Sequence, residues 1–510
     1  MSIQLTSTNV GAQNTRNVLS GIKVKTSKVF AGKSNHEDFT PEETVNVIVG
    51  VFFDGTANNR DNVNSRLDYE RIKAHEKEVS GATLTVKETK AAREYKGTKQ
   101  EKESAEEYEG WFGRTRSSKS YNNDQSNVAR MEAFYNDKTT EKLVQTHVYV
   151  EGAGTKNGSR DKLIGLGLGT GGTGVRAKVK KACEKVADAV KKAASNLEVN
   201  KLTIDVYGFS RGAAEARNFV FEIYQKIGDV EDIIDMGEGE SIVVKFKQAH
   251  GLLGKHLAQK GVEMKRKLEV RFAGLYDTVL AVGLPFYAIH KSNVKRLNMA
   301  AVNNASFVFQ LASADEHRKN FKLTNIDSAR GLEKTFPGVH SDIGGGYVDN
   351  ATEKVTLQRS LYLNKIKAEQ ADLILQGWFK PNQIPIKTRH NRRTTSYTLK
   401  GNRENLSHKY SFIPLQIMSA FSVTKKVDIL ESKIKRKYSF KGDKTLDKAK
   451  IELDKYVNGD RDALDFNNPT DKVLLKTLRN EYFHWSSNLN SIGMKPHIEN
   501  GKRIRQIFSV

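Results

Sequence analysis

The stretch LTIDVYGFSRGAAEARNFVFEIY (202–224) decides the fold of this chain. LTIDVY predicts a strand, because β-branched and aromatic residues favour extended backbone. AAEARNFVFEIY predicts a helix, because its apolar residues recur at helical spacing. Between them stands GFSRG (208–212), so a single serine lies in a sharp connection from a strand to a helix.

The pattern Gly-x-Ser-x-Gly is short enough to occur by chance, so its surroundings decide its meaning. A strand directly before it and a helix directly after it are the surroundings of a nucleophile elbow. Gly208 and Gly212 lack a Cβ, which lets the strand and the helix approach each other closely. The alternative is an ordinary strand–turn–helix connection with a surface serine. The context favours Ser210 as the nucleophile of a serine hydrolase.

A serine hydroxyl is a weak nucleophile and needs a base, which a third group must orient. In α/β-hydrolase folds the chain order is serine, then an acid, then a histidine. Among the histidines after Ser210, His340 lies in the tight loop FPGVHSDIGGGY (336–347), which is bounded by proline and glycine. Such a loop fixes a side chain, so we expect His340 to be the base. His408 is its main rival.

The acid that orients the base has two candidates. Asp277 comes at the end of the predicted strand in LEVRFAGLYDTV (268–279). The carboxyl end of a strand is the usual place for catalytic groups in open α/β sheets. Asp342 is the alternative, but it stands only two residues from His340 and has difficulty reaching the imidazole Nδ1 in line. The sequence favours Asp277.

The oxyanion of a tetrahedral intermediate needs two N–H donors. One is predicted to be the backbone of Arg211, the residue after the nucleophile. The other should come from the turn after an early strand, where FFDGT (52–56) offers Gly55 or Thr56. Asp54 is expected to brace that turn.

Further strands are predicted at 45–56, 146–155 and 268–279, with helices between them. Alternating strands and helices favour a mostly parallel sheet that helices cover on both faces. The predicted fold class is therefore α/β, of the α/β-hydrolase type, with charged insertions and a basic, helical C-terminal region.

Three domains are predicted from shifts in composition. They are a polar tail or docking segment at 1–42, a catalytic domain at 43–430 and a basic helical region at 431–510. The catalytic domain is expected to carry a charged insertion at 61–118, either helical or disordered, and a second insertion at 350–405.

The net charge of +23 favours an anionic partner such as a phospholipid surface. Residues 351–510 hold 31 Lys and Arg against 16 Asp and Glu, a net +15. IKTRHNRRTTSYTLK (386–400) and ESKIKRKYSFKGDK (431–444) are the densest stretches. Tyr397, Tyr438 and Phe440 lie among these charges and are expected at the level of lipid head groups. The plainer alternative is that the charge serves solubility.

Several functions are disfavoured by what the sequence lacks. The glycines Gly167, Gly169 and Gly172 match a dinucleotide fingerprint, but the strand and the acidic residue that it requires are not in place. The loop is expected to form part of the active-site rim. No metal-binding pattern is found, and neither a cofactor nor a metal is predicted. The N-terminus has no basic start followed by an apolar stretch, so no signal peptide is predicted.

Seven blocks of the sequence resemble, in order, the catalytic domain of type VI secretion phospholipase effectors. They are FFDGTANN (52–59), SNVARM (126–131), YVEGAGT (149–155), YGFSRGAAEARNF (207–219), GLYDTV (274–279), FPGVHSDIGGGY (336–347) and SFIPLQIM (411–418). The elbow and histidine blocks are the specific ones. The resemblance covers roughly 45–425, and the charged insertion and the basic C-terminus depart from it.

The resemblance implies Ser210 as nucleophile, His340 as base and Asp277 as acid. It also implies cleavage of phospholipid acyl esters, delivery by a type VI secretion system without a signal peptide, and a cognate immunity protein in the producing cell. The expected route is from the cytoplasm, on a spike or tube component, to the periplasm or membrane of a target bacterium. A nucleic-acid partner is not expected.

Two other functions remain open from the residues. One is a housekeeping α/β hydrolase that acts on a soluble ester. The other is a basic protein that binds membrane or nucleic acid and keeps a vestigial elbow. Release of fatty acid from phospholipid vesicles would separate all three.

Overall fold

The computed structural model describes residues 44–109, 115, 118–161, 174–226, 228–237, 240–266, 268–280 and 297–510. The predicted tail at 1–42 and the glycines Gly167, Gly169 and Gly172 lie outside these residues. The strands and helices belong to one compact unit, Val45–Val510.

The strands have the following bounds in chain order: β1 Thr44–Phe53, β2 Lys138–Thr140, β3 Leu143–Val150, β4 Glu198–Phe209, β5 Gly228–Gly237, β6 Glu240–Gln248, β7 Glu269–Tyr276, β8 Val308–Ser313, β9 Leu323–Thr324, β10 Gly331–Phe336, β11 Ala351–Ser360, β12 Ile386–His390, β13 Thr395–Leu406, β14 Ile498–Glu499, β15 Lys502–Arg503 and β16 Ile507–Phe508.

The α-helices have the following bounds: α1 Arg60–Val79, α2 Val86–Glu94, α3 Lys99–Glu109, α4 Lys119–Asn122, α5 Asn127–Glu132, α6 Val175–Ala194, α7 Arg211–Ile223, α8 Gly251–Gln259, α9 His340–Gly344, α10 Leu363–Leu375, α11 Phe412–Thr424, α12 Glu431–Lys437, α13 Lys444–Asn458 and α14 Pro469–Glu481. Among the described residues, no helix combines the length and the hydropathy needed to cross a bilayer.

Seven of the described strands form one sheet, in the order β10-β8-β7-β4-β1-β3-β2. Four neighbouring pairs run parallel: β1 with β3, β4 with β7, β7 with β8, and β8 with β10. The short edge strand β2 runs antiparallel to β3. The prediction of a mostly parallel sheet is therefore confirmed.

Helices cover both faces of this sheet, as strand β1 illustrates. Val51 belongs to one buried cluster, together with Val186 of α6 and Phe219 of α7. Phe52 points to the opposite face and belongs to a second cluster, which includes Ile413 of α11. Strands buried on both faces are apolar along their whole length, which explains the run VNVIVGVFF. The result is a mixed α/β architecture of the α/β-hydrolase-like kind.

Two segments lie outside this sandwich pattern. Most of the predicted charged insertion is helical, because α1, α2 and α3 span Arg60–Glu109. Residues 351–406 form a separate three-stranded antiparallel sheet in the order β11-β13-β12, with α10 in the β11–β12 connection.

The prediction of a helical region across 431–510 is wrong for its last part. Helices α12, α13 and α14 occupy the first part and end at Glu481. Beyond Glu481 the chain consists of loops, turns and the short strands β14, β15 and β16, and Ile507–Phe508 pairs parallel with Leu323–Thr324. The backbone there is satisfied by hydrogen bonds to another strand instead of bonds within a helix.

The aromatic residues expected among the C-terminal charges do not all reach the surface. Tyr438 is 8% exposed and Phe440 is 9% exposed. The Tyr438 ring packs against Phe134 and Phe412, with centroid distances of 6.2 and 5.3 Å. The lysines around Tyr438 and Phe440 are exposed, but their aromatic neighbours belong to the core.

Candidate active site

The predicted elbow is a strained turn between β4 and α7. β4 ends at Phe209 and α7 begins at Arg211, and Ser210 between them has φ 59° and ψ −124°. Residues other than glycine rarely adopt a positive φ, so the contacts around Ser210 must hold its backbone in this conformation. The Ser210 amide donates to the Tyr276 carbonyl at 3.0 Å, and the Val279 amide donates to the Ser210 carbonyl at 3.2 Å.

The two glycines of the motif make room for this turn. A Cβ on Gly208 would lie 2.4 Å from the Gly212 carbonyl oxygen. A Cβ on Gly212 would lie 2.3 Å from the Asp54 carbonyl oxygen. Both distances are shorter than real Cβ contacts, so the close approach requires glycine at these positions, as the sequence predicted.

Ser210 and Asp277 lie at the ends of neighbouring strands. Phe209 of β4 is paired in register with Tyr276 of β7, so the next residue of each strand emerges at the same carboxyl edge. Asp277 has a positive φ of 46°, which shows that this turn is also constrained. Ser210 is 4% exposed and Asp277 is 0% exposed.

His340, the first residue of α9, contacts Asp277 directly. Its Nδ1 lies 2.5 Å from Asp277 Oδ2. The ring packs between Phe209, at a centroid distance of 4.7 Å, and Phe321, at 5.0 Å edge-on. Burial lowers the pKa of His340, and the Asp277 carboxylate opposes that shift. A neutral imidazole that donates from Nδ1 leaves Nε2 as an acceptor, which is the state a general base requires.

Asp277 is held as an anion by several donors. The Ser313 amide donates to Oδ1 at 2.8 Å and its hydroxyl donates to Oδ2 at 3.1 Å. Arg505 donates from Nη1 at 2.5 Å and from Nη2 at 2.8 Å. Burial disfavours the charged carboxylate, but Arg505 and His340 outweigh burial and lower the pKa of Asp277 to about 2.

The alternative acid, Asp342, contacts other residues than His340. It accepts from the Val339 amide at 2.9 Å and lies 2.9 Å from Nδ1 of His484. Burial raises the pKa of Asp342 well above its usual value, so it does not resemble an ionised triad acid. The structure brings Asp277, and not Asp342, to the imidazole of His340.

The rival base, His408, is also engaged elsewhere. Its Nδ1 lies 2.9 Å from the Tyr347 carbonyl oxygen and 3.0 Å from Asp124 Oδ2. These contacts tie His408 to the loop that follows His340. They give it a structural role in that loop.

The turn after β1 lies against the elbow. The guanidinium Nε of Arg211 donates to Thr56 Oγ1 at 2.5 Å. Asp54 accepts from the Gly55 amide at 2.7 Å and from the hydroxyls of Ser126 and Tyr149 at 2.5 Å each. Asp54 thus braces the turn, as expected, and it engages the Gly55 amide. The Gly55 amide is therefore already engaged by the Asp54 carboxylate.

Burial of Asp54 is the main reason that its pKa is raised to about 6. The hydroxyls of Ser126 and Tyr149 act in the opposite direction and limit the rise. Within the described part of the chain, Asp54 has three donors and no direct ion pair, which suits a carboxyl that holds the backbone of the turn.

Sequence reasoning missed the residues that surround the Asp277–His340 pair. Ser313 and Arg505 contact Asp277, and Glu316 Oε2 lies 3.4 Å from the His340 amide, which donates to it. Ser313 ends strand β8, which pairs with β7, so a prediction of strand order would have suggested it. Arg505 stands 228 positions from Asp277 in a basic stretch, and no local signal distinguishes it from its neighbours.

No group of three or more His, Cys, Asp or Glu side chains within the described ranges is arranged to hold a metal ion.

A parallel sheet with a strained serine turn and an Asp–His pair at its carboxyl edge defines the class of this protein as α/β-hydrolase-like. The model of the type VI secretion family "phospholipase effector Tle1-like, catalytic domain" matches residues 97–366, more than half of the chain. The chain belongs to this family of phospholipase effectors.

The chain is similar to two solved structures. The structure of the Tle1 effector bound to the VgrG spike of the type 6 secretion system is 20% identical, with a TM-score of 0.57. The match covers 94% of this chain and 98% of that chain, and it shows a shared fold. An uncharacterized Pseudomonas aeruginosa protein is 17% identical over 92% of this chain and 56% of its own, with a TM-score of 0.36. Comparison with curated proteins finds no match.

Proposed function

We propose that this chain is a serine esterase that cleaves the acyl esters of phospholipids and acts as an antibacterial effector of a type VI secretion system. The observation that carries the proposal is the buried Asp277–His340 hydrogen bond beside the strained turn at Ser210. Membership of the phospholipase effector family supports the lipid substrate.

The proposed reaction follows from the protonation states of the site. Ser210 Oγ attacks the acyl carbonyl while Nε2 of His340 accepts its proton. Asp277 stays ionised, fixes the imidazole tautomer and stabilises the imidazolium that forms. His340 then protonates the departing lysophospholipid alkoxide. Water, activated by the same imidazole, hydrolyses the acyl-enzyme and releases the fatty acid.

The oxyanion of the tetrahedral intermediate would be stabilised by backbone donors at two turns. We assign these to the amides of Arg211, at the N-terminus of α7, and Thr56, in the turn after β1. The helix N-terminus adds a favourable dipole. The Arg211–Thr56 hydrogen bond holds the two turns together, which supports their acting as one unit.

An anionic bilayer is the proposed docking surface, and one lobe of the molecule suits it. We call it the basic lobe: Arg359, Leu361, Tyr362, Lys365, Arg389, Arg392 and Arg393. Strand pairing brings Ser360 and Thr388 both opposite Tyr397, so the end of β11 and the β12–β13 hairpin share one end of the sheet. Leu361 is 60% exposed and Tyr362 is 63% exposed.

The exposed pair is surrounded by cations. Lys365 Nζ lies 5.3 Å from the centre of the Tyr362 ring, and Arg389, Arg392 and Arg393 are exposed. Apolar and aromatic side chains rimmed by Arg and Lys suit the boundary between acyl chains and anionic head groups. A cognate immunity protein and a type VI spike component are the proposed protein partners, with delivery to the periplasm or membrane of the target cell.

The test is release of fatty acid from phospholipid vesicles, with Ser210→Ala as the matched control. We expect release by the wild type and a loss of several orders of magnitude in the variant, because the members of a triad act as a unit. A short-chain soluble ester, assayed in parallel, separates the housekeeping alternative. Hydrolysis of the soluble ester without attack on vesicles would contradict the lipid substrate. Ser210→Ala with wild-type activity would contradict the serine mechanism.

A further inference from the structure

Asp277 receives a buried ion-pair partner from a distant part of the chain. The Arg505 guanidinium donates from Nη1 to Asp277 Oδ1 at 2.5 Å and from Nη2 to Oδ2 at 2.8 Å. The side chains are 5% and 0% exposed. Two parallel hydrogen bonds of this kind fix the orientation of a carboxylate as well as its charge.

The other donors of Arg505 are used as well. Nε donates to the Phe321 carbonyl at 3.0 Å, and Nη1 donates to the carbonyl and hydroxyl of Ser313 at 3.0 and 2.8 Å. Ser313 itself donates to Asp277. Arg505 and Ser313 therefore form one network around the carboxylate. His340 Nδ1 contacts Oδ2, the oxygen that also accepts from Arg505 Nη2 and the Ser313 hydroxyl.

The segment that carries Arg505 is fixed by strand pairing. The amides of Leu323 and Asn325 donate to the carbonyls of Gln506 and Phe508 at 3.0 and 3.1 Å, and the Ser328 amide donates to the Val510 carbonyl at 2.8 Å. Phe321, two residues before Leu323, packs edge-on against the His340 ring. The same backbone segment thus holds Arg505 in place and lines the imidazole.

Other charges face the pair as well. Glu316 accepts from the His340 amide at 3.4 Å and is paired with Arg318 at 2.7 Å. These two charges have opposite effects on His340, because Arg318 disfavours the imidazolium and Glu316 favours it. Arg505, unlike Arg318, is in direct contact with the Asp277 carboxylate.

We propose that Arg505 is a positioning residue, which aims the Asp277 carboxylate at His340 and balances its charge, so that residues 505–510 complete the site. The proposal rests on the proposed function, in which His340 is the base. Removing a positive charge beside a buried carboxylate–imidazole pair makes the pair easier to protonate, whichever partner takes the proton. Arg505 therefore keeps the imidazole free to accept a proton at lower pH.

The decisive variant is Arg505→Met, which keeps an unbranched side chain in the buried position and removes the guanidinium with its charge. We expect the protonation midpoint of His340 to rise by about one pH unit or more, as an adjacent charge produces shifts of this size. Arg505→Lys keeps the charge and loses the pair of parallel hydrogen bonds to the carboxylate. It should leave the midpoint near that of the wild type and lower kcat for a soluble ester, with KM little changed.

The midpoint is measured by NMR on the full chain with 13Cε1-labelled histidine, in the Ser210→Ala background, with His340→Gln to assign the signal. Arg503→Met is the matched control. Arg503 is a largely buried arginine of the same segment, and it pairs with Glu369 instead of Asp277. Its effect on the His340 midpoint should be negligible. In the pH profile of kcat/KM, the loss of activity on the acid side should shift to higher pH in the Arg505→Met enzyme, together with the His340 midpoint.

A folded Arg505→Met protein with an unchanged His340 midpoint overturns the proposal, whatever the activity of the wild type. If Arg505→Met fails to fold, Arg505→Lys decides, and wild-type kcat in that variant overturns the proposal. A wild-type chain without Ser210-dependent ester hydrolysis would count against the proposed function alone, because the NMR midpoint tests Arg505 without turnover.

Discussion

At the scale of single residues, the contacts of Asp277 and Asp342 give the two carboxylates different tasks. Asp277→Asn should lower kcat by about 10³–10⁴-fold, because the amide no longer fixes the His340 tautomer. Ester turnover per folded molecule checks this prediction. Asp342→Asn is the matched control, since it alters the contacts to Val339 and His484 and leaves the Asp277–His340 pair in place.

The control should lose stability of about 1 kcal/mol and keep most of its kcat. Near-full activity in Asp277→Asn, together with a loss of activity in Asp342→Asn, would show that the acid has been assigned to the wrong residue.

The pH dependence of folding stability gives a second check. The pKa of Asp277, about 2, lies below the ordinary value near 4, so its ionised form stabilises the fold above pH 4. That stability is lost as the pH falls towards 2, and Asp277→Asn should lack this loss.

At the scale of elements, the elbow could be predicted because its determinants are local. A strand, a helix and two glycines occur within 23 residues, and the structure places each where the sequence indicated. The histidine loop was also predictable, since proline and glycines bound it on both sides. The end of helical structure after Glu481 could not be predicted, because Ile507–Phe508 pairs with Leu323–Thr324, a strand 184 positions earlier.

Gly212 tests the packing of the elbow. Gly212→Ala would place a Cβ 2.3 Å from the Asp54 carbonyl and 2.4 Å from the Phe53 carbonyl, both of them rigid backbone. Overpacking of this kind costs about 1–3 kcal/mol or more, and here it also displaces the turn that carries Ser210. We expect a lower Tm and a large loss of ester hydrolysis.

The matched control for this substitution is Gly228→Ala, since a Cβ there meets only the Lys226 carbonyl at 3.6 Å. It should leave both Tm and activity near those of the wild type. Equal behaviour of the two alanine variants would argue against close packing as the reason for Gly212.

At the scale of the whole molecule, the candidate site combines parts that are far apart in the sequence. Chain order and motif context selected Ser210, Asp277 and His340 as candidates, and the structure brings His340 into contact with Asp277. Arg505 could not be selected, because its role depends on how residues after Glu481 return to the sheet. Charge alone also misled: Tyr438 and Phe440 stand among lysines and yet pack into the core.

The same contrast between charge and exposure predicts which basic surface binds membrane. The basic lobe combines cations with the exposed Leu361 and Tyr362, whereas the cations of α12 surround buried aromatic residues. We compare two variants with the same change in net charge. One replaces Arg389, Arg392 and Arg393 with Glu, and the other replaces Lys433, Lys435 and Arg436 of α12 with Glu.

Binding to phosphatidylglycerol-containing vesicles is measured by cosedimentation in the Ser210→Ala background, at rising salt. Each Lys or Arg near an anionic leaflet contributes about 1 kcal/mol, so reversal of three in the basic lobe should weaken binding by about tenfold or more. The α12 variant should bind within a few-fold of the parent. Binding should rise with phosphatidylglycerol content and fall with salt, because the Debye length shrinks.

Equal weakening by both variants would mean that net charge, and not the basic lobe, recruits the protein. Binding that ignores lipid charge would remove the bilayer as the partner of this surface and leave an acidic protein as its occupant.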